Sequence, residues 1–217
     1  MIERDYIMRM IQMLTQALAR IVFRKNAREY PEALKEIQTT SKHLLGVELD
    51  VLRRLSDIQM IDLLSLDLAL GLPKCHAAGM LLKEEAEILE FQKKESESRD
   101  ACLKALSLLT ETAIRNNGPY DSGHAEAIDF VAGKLKNYST PVYISKKLFR
   151  YYEIAQHYAK ARYVLLDILK MEPSFAGEGL LFYERIGKKS DDDLRIGDFS
   201  RTEIADSVNE LRGGTVV

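Results

Sequence analysis

Between Ile2 and Phe23 the apolar residues Ile7, Ile11, Leu14, Leu18 and Ile21 recur at steps of four and three, and Met10, Ala17 and Val22 widen the stripe. That spacing brings side chains to one side of a chain only in an α-helix. It predicts a first helix about 33 Å long at 1.5 Å per residue. Arg4, Asp5, Arg9, Gln12, Gln16 and Arg20 occupy the rest of the cylinder, and Arg24 and Lys25 close it where cations suit the helix dipole. The stripe is expected to pack on the body of the protein or on a second copy. Contact with a membrane surface is the alternative, disfavoured because Tyr6 and Phe23 are the only aromatics and the polar face is mixed.

The same period continues through the chain. With hydrophobic residues at 46 %, charged residues at 29 % and only five prolines and twelve glycines, the composition predicts a folded, helix-rich protein. Its 217 residues suffice for one sizeable core or two small ones. The formal charge of -2 gives no basic footprint for nucleic acid. Cys75 and Cys102 lie far apart, so free thiols in a reducing compartment are expected. Met1 leads into Glu3, Arg4 and Asp5, and the Leu-rich run from Ile61 to Leu72 is broken by Asp62 and Asp67, so a cytoplasmic, non-spanning chain is expected.

Punctuation divides the helices. Pro31 opens a second, which stops near Gly46; a third segment begins near Glu48 with a fresh start capped at Ser56-Asp57. Gly71-Leu72-Pro73 marks the expected boundary of an N-terminal helical portion, residues 1–72. Helices are then predicted over 73–91, over 98–115 up to Asn116-Asn117-Gly118-Pro119, and from Asp121 or Ser122 to Leu135. After Gly187 the composition turns to KKSDDD, predicting a polar tail over 188–217 with a short helix capped at Ser200 and Glu203.

The stretch from Thr140 to Pro173 carries Leu148 and Tyr152, then Tyr158, Ala161, Leu165 and Leu169, and ends at Pro173. This order resembles the tetratricopeptide repeat, a helical hairpin of 34 residues. Ala127, Val131 and Leu135 lie one such period before Ala161, Leu165 and Leu169. Phe149 stands where a small residue is usual and Gln156 where glycine is common. The resemblance implies an all-α fold of antiparallel hairpins in a right-handed stack over 73–187, with a last helix from about Phe175 to Ile186. The opening M-I-E-R-D-Y-I-M-R also resembles the N-terminus of an uncharacterised bacterial protein family, which brings no assigned activity.

In tetratricopeptide units the first helix of each pair faces a groove. The resemblance therefore implies that Tyr143, Lys146, Arg150 and Glu153, with Lys147 beside them, form a peptide-binding face. Lysine and arginine there suit an acidic segment or a terminal carboxylate. The expected function is protein interaction or scaffolding without catalysis, the homodimer being formed through the first helix. The alternatives are an enzyme with a site between helices and a membrane-surface protein. No cofactor or metal is expected: His43, His76, His124 and His157 form no ligand motif, and Gly177-Glu-Gly179 falls short of a phosphate loop. Glu84, Glu85, Glu87 and Glu90 read as a solvated helix face, and Asp191 to Asp193 as a solvated linker.

Overall fold

The computed structural model describes residues 2–66 and 70–213, with side chains from Ile7 onward. Among them the protein is all-α, without strands. The helices are α1 (Ile2–Asn26), α2 (Tyr30–Leu45), α3 (Leu49–Arg54), α4 (Asp57–Leu64), α5 (Gly71–Phe91), α6 (Glu95–Arg115), α7 (Ser122–Leu135), α8 (Val142–Ile154), α9 (Tyr158–Met171), α10 (Ala176–Gly187), α11 (Asp191–Ile196) and α12 (Arg201–Arg212), with a 3-10 turn over Pro173–Phe175. No described helix is long and apolar enough to cross a membrane.

Starts follow local chemistry. Ser56 caps α4 in a reciprocal box with Gln59, Asp121 caps α7 by accepting from the His124 amide, and Ser200 caps α12 by accepting from that of Glu203. Five stops share one geometry. Arg28, Lys93, Asn117, Gln156 and Asp198 all take positive φ, between 53° and 62°. In each case the following amide reaches back five residues, Glu29 to Arg24, Lys94 to Leu89, Gly118 to Ala113, His157 to Tyr152 and Phe199 to Leu194. This is the Schellman closure, which turns the chain back sharply and satisfies orphan carbonyls. None of the five is glycine, although a side chain is disfavoured in that conformation by about 1 kcal/mol. Gln156→Gly is therefore expected to raise the unfolding free energy by about 0.5–1 kcal/mol, measurable by urea denaturation.

The chain divides into two compact units, Met1–Ser139 and Thr140–Val217. In the first, α5 and α6 form the central pair; α1 and α2 pack on each other and on α5, α3 rests on α2, and α4 and α7 lie against both α5 and α6. Surrounded in this way, α5 buries Ala77, Ala78, Leu81, Leu82, Ala86, Ile88 and Leu89, apolar on more than one side. Gly71, Leu72 and Pro73 form its first turn, and a Cβ on Gly71 would fall 2.8 Å from the Ser65 Cα. Helix α6 starts at Glu95, earlier than the polar KKESES run suggests, because Glu95 and Glu97 suit the positive end of a helix. Ser98 donates to the Ala86 carbonyl at 2.8 Å and ties α6 to α5.

In the second unit α8 packs on α9 through buried Leu148, Tyr152, Tyr158, Ala161, Leu165 and Leu169. Phe149 of α8 meets Phe182 of α10 edge-on, with ring centroids 5.2 Å apart. Helix α12 packs on α10, and Arg162 of α9 donates to the Ser207 hydroxyl of α12 at 3.0 Å. The solvated linker expected at Asp191–Asp193 is corrected: Ser190 and Asp193 form a capping box, three acidic residues fill the first turn of α11, and Leu194 and Phe199 are buried. A Cβ on Gly197 would lie 2.3 Å from the Tyr158 ring, so only glycine lets this end of α11 approach the α8–α9 turn.

Candidate functional site

Residues 143, 146, 147, 150 and 153 fall on one side of α8 by helical spacing. Tyr143 and Arg150 are exposed, while Lys146, Lys147 and Glu153 are half-buried. Other elements supply partners to Lys146 and Glu153. Lys146 Nζ bonds a Glu172 oxygen at 2.8 Å and lies 4.9 Å from the Phe175 ring centre. Arg150 donates to Glu153 at 2.8 Å, and the same carboxylate accepts two bonds from Arg185 of α10, at 2.6 and 3.1 Å. Arg185 also reaches Glu178 at 2.8 Å. Hydrogen bonds to Glu153, then to Glu178, raise the Arg185 pKa against a burial penalty. Arg185, Glu172 and Glu178 were not legible as members of this surface, because they converge only when α10 and the end of α9 pack beside α8. The structure thus gathers the predicted residues into an ion-paired strip of both signs.

The first unit holds a second charged centre, and here the solvated face predicted for α5 is corrected. Glu84 is 4 % exposed and Glu85 2 %; Glu87 is half-buried, and only Glu90 lies at the surface, bonded to Lys134 at 2.7 Å. The physical reason is that α1, α2, α4, α6 and α7 enclose α5, and its counter-ions come from α1 (Lys25), α3 (Arg53), α7 (Lys134) and α5 itself (Lys83). Lys25, at the end of α1, is itself buried and bonds Oε2 of both Glu84 and Glu87, at 2.5 and 2.8 Å. Lys83 bonds Oε1 of the same two carboxylates, at 2.8 and 2.5 Å. Two lysines and two glutamates close a neutral square. Burial alone would raise the Glu87 pKa, but the hydrogen bonds from Lys25 and Lys83 overcome it and hold the carboxyl below its usual range. One sequence signal pointed here: Lys25 continues the buried register Leu14, Ala17, Ile21 at the next step of four, so a lysine stood where the core stripe required burial.

Glu85 points to a different neighbour. Arg53 of α3 stands with Nη1 3.4 Å from Glu85 Oε1 and Nη2 2.8 Å from Asp50, while Glu85 Oε2 is buried without a hydrogen bond. Burial pushes the Glu85 carboxyl up to about 7, with Arg53 only partly opposing it and Asp50 and Glu97 adding to it. Next to this group a cleft of about 270 Å³ is lined by Asp50, Arg53, Arg54, Glu97, Asp100 and Lys104. Lys104 donates to the Leu55 carbonyl at 2.5 Å, fixing the chain between α3 and α4 over α6.

At the other end of α5, His76 lies 4.6 Å from His124 and 5.1 Å from Tyr120, ring centre to ring centre. His124 Nδ1 accepts from the Tyr120 amide, so its Nε2 carries the proton and donates to the Leu109 carbonyl at 3.0 Å. Burial, then the nearby His124, lowers the His76 pKa to about 4, and its Nδ1 is buried without a partner. A histidine whose folded pKa is depressed contributes stability that is complete above its free value of 6.5 and is lost as pH falls to about 4. His76→Gln is expected to remove a loss of up to about 3 kcal/mol across that window, read as a flatter dependence of melting on pH. Among the described residues, no three histidine, cysteine, aspartate or glutamate side chains group as metal ligands.

Helical hairpins enclosing one ionic centre and carrying an ion-paired strip on a second unit define an all-α protein. The chain belongs to a family of unknown function, DUF6483, whose model matches residues 1–214. No curated protein and no solved structure matches the chain.

Proposed function

We propose that this protein is a non-enzymatic interaction module whose second unit works as a tetratricopeptide-like pair of hairpins, α8 with α9 and α10 with α12, binding an acidic peptide segment. The observation that carries the reading is the side-chain contact between α8 and α10, made by Phe149–Phe182 and by the Glu153–Arg185 pair. In a tetratricopeptide stack the first helices of successive hairpins meet in this way and line a groove. Lys146 and Arg150 hold only partly exposed ion pairs with Glu172 and Glu153, each worth about 0–1 kcal/mol. An incoming carboxylate exchanges for either partner at small cost, and Tyr143 offers a flat surface beside them.

Titration with acidic peptides at low salt tests the assignment. The Lys146→Ala/Arg150→Ala double variant should bind at least about 10-fold more weakly, and added salt should reduce the wild-type affinity. Unchanged affinity in the double variant removes the groove from consideration.

One observation favours a second reading, a ligand or catalytic site between helices: a buried carboxyl that titrates near 7 beside a charged cleft. Such a group exchanges protons at neutral pH, as general acid-base chemistry requires. Small molecules that raise the melting temperature of the wild type and not of Glu85→Gln support this reading; equal shifts on both proteins exclude it.

A further inference from the structure

Helix α1 turns Met10, Leu14, Ala17, Ile21 and Lys25 into its own unit. The other side is left open: Met8 is 51 % exposed, Ile11 42 % and Phe23 73 %. Beside Phe23 runs a groove of about 600 Å³ with Ala19, Arg20, Phe23 and Arg24 on one wall and Glu29 and Glu32, at the entry to α2, on the other. One wall is basic and the other acidic. Arg20 is held by Glu36 at 2.8 Å and Arg24 by the Glu32 carbonyl at 3.2 Å, which leaves both guanidinium groups fixed along the rim.

We infer that this groove is the contact between two copies of the chain, each inserting Phe23 into the groove of the other. The charges select the occupant and its orientation. A two-fold contact presents the same patch from both sides, so the patch must hold both a protruding group and a recess, and both signs of charge. Here Phe23 protrudes at the lip and Ala19 leaves room on the wall. With the two-fold axis along the groove, the Arg20–Arg24 wall of one copy lies over the Glu29–Glu32 wall of its partner. With the axis across the groove, arginine would face arginine. The aromatic supplies the buried anchor and the flanking charges set the register.

Sedimentation of the full chain up to about 100 µM, far above a micromolar dissociation constant, tests this. The wild type should form a dimer. Phe23→Glu should weaken association by about 30-fold or more, as loss of an anchoring aromatic does, with melting equal to that of the wild type once both are diluted to monomer, because Phe23 is 73 % exposed on its own unit. Arg24→Glu should also weaken it, and Arg24→Glu/Glu32→Arg should restore it by exchanging one facing pair of charges. A monomeric wild type, a Phe23→Glu variant that dimerises as well as the wild type, or a failure of the double reversal to restore association overturns the inference.

Discussion

Lys25→Ala is expected to lower the unfolding free energy by about 3–5 kcal/mol at neutral pH, the effect of removing one member of a buried ion pair. The square formed by Lys25, Lys83, Glu84 and Glu87 is neutral, and Glu84 is almost wholly enclosed. Without Lys25, one cation faces two carboxylates that have little access to water. The deficit is larger than the hydrophobic term, because the aliphatic stem of a lysine buries only a few methylenes at about 0.8 kcal/mol each. Urea denaturation gives the value directly. Lys25 also joins α1 to α5 across 59 residues of sequence, so the same variant should expose α1 to amide exchange before α6. A change below about 1 kcal/mol would mean that the carboxylates are solvated after all.

Glu85→Gln should act in the opposite direction. The folded state holds the Glu85 proton up to about pH 7, against 4.5 for a free carboxyl. A raised acid pKa means that the folded form binds the proton more tightly, so stability falls as pH rises from 4.5 to about 7 and the full penalty applies above that. Glutamine carries no charge to bury. The variant should be more stable than the wild type by about 2–3 kcal/mol at pH 8 and equal to it at pH 4. His76 imposes the reverse slope over nearly the same interval, so the wild-type profile between pH 7 and 4 is the sum of two opposed terms. The two single variants separate them. A carboxyl kept inside the fold at such a cost is the pattern found where activity is traded against stability, and it is why the cleft beside α3 competes with the α8 strip as a site.

How much of this was legible in the sequence depended on whether the cause was local. The helical period of α1, the left-handed stop at Gly46 and the caps at Ser56, Asp121 and Ser200 each follow from a few adjacent residues and stand where the spacing placed them, but the buried stripe of α1 is narrower than predicted, holding Met10, Leu14, Ala17 and Ile21 while Ile11 is 42 % exposed. The all-α class followed from the same signals. Three features did not. The polar run KKSDDD reads as linker because its acids hide a capping box and its two anchors, Leu194 and Phe199, are five residues apart. The glutamates of α5 read as a wet face because their burial is decided by α1, α2 and α6 arriving from elsewhere in the chain. The α8 residues share one side by their spacing, but the partners Glu172 and Arg185 come from the end of α9 and from α10, where no pattern in α8 could announce them. Lys25 was the one available hint, a cation in the register of a core stripe.

Helix α5 is the enclosed axis of the first unit, and Glu84 and Glu85 belong to its interior. A pH titration of the Glu85 side-chain carboxyl by carbon-13 NMR in the intact chain tests it most directly. The midpoint should fall near 7 and move further up when Arg53 is replaced by Ala and its opposing charge is lost. A midpoint near 4.5, insensitive to Arg53, would contradict it.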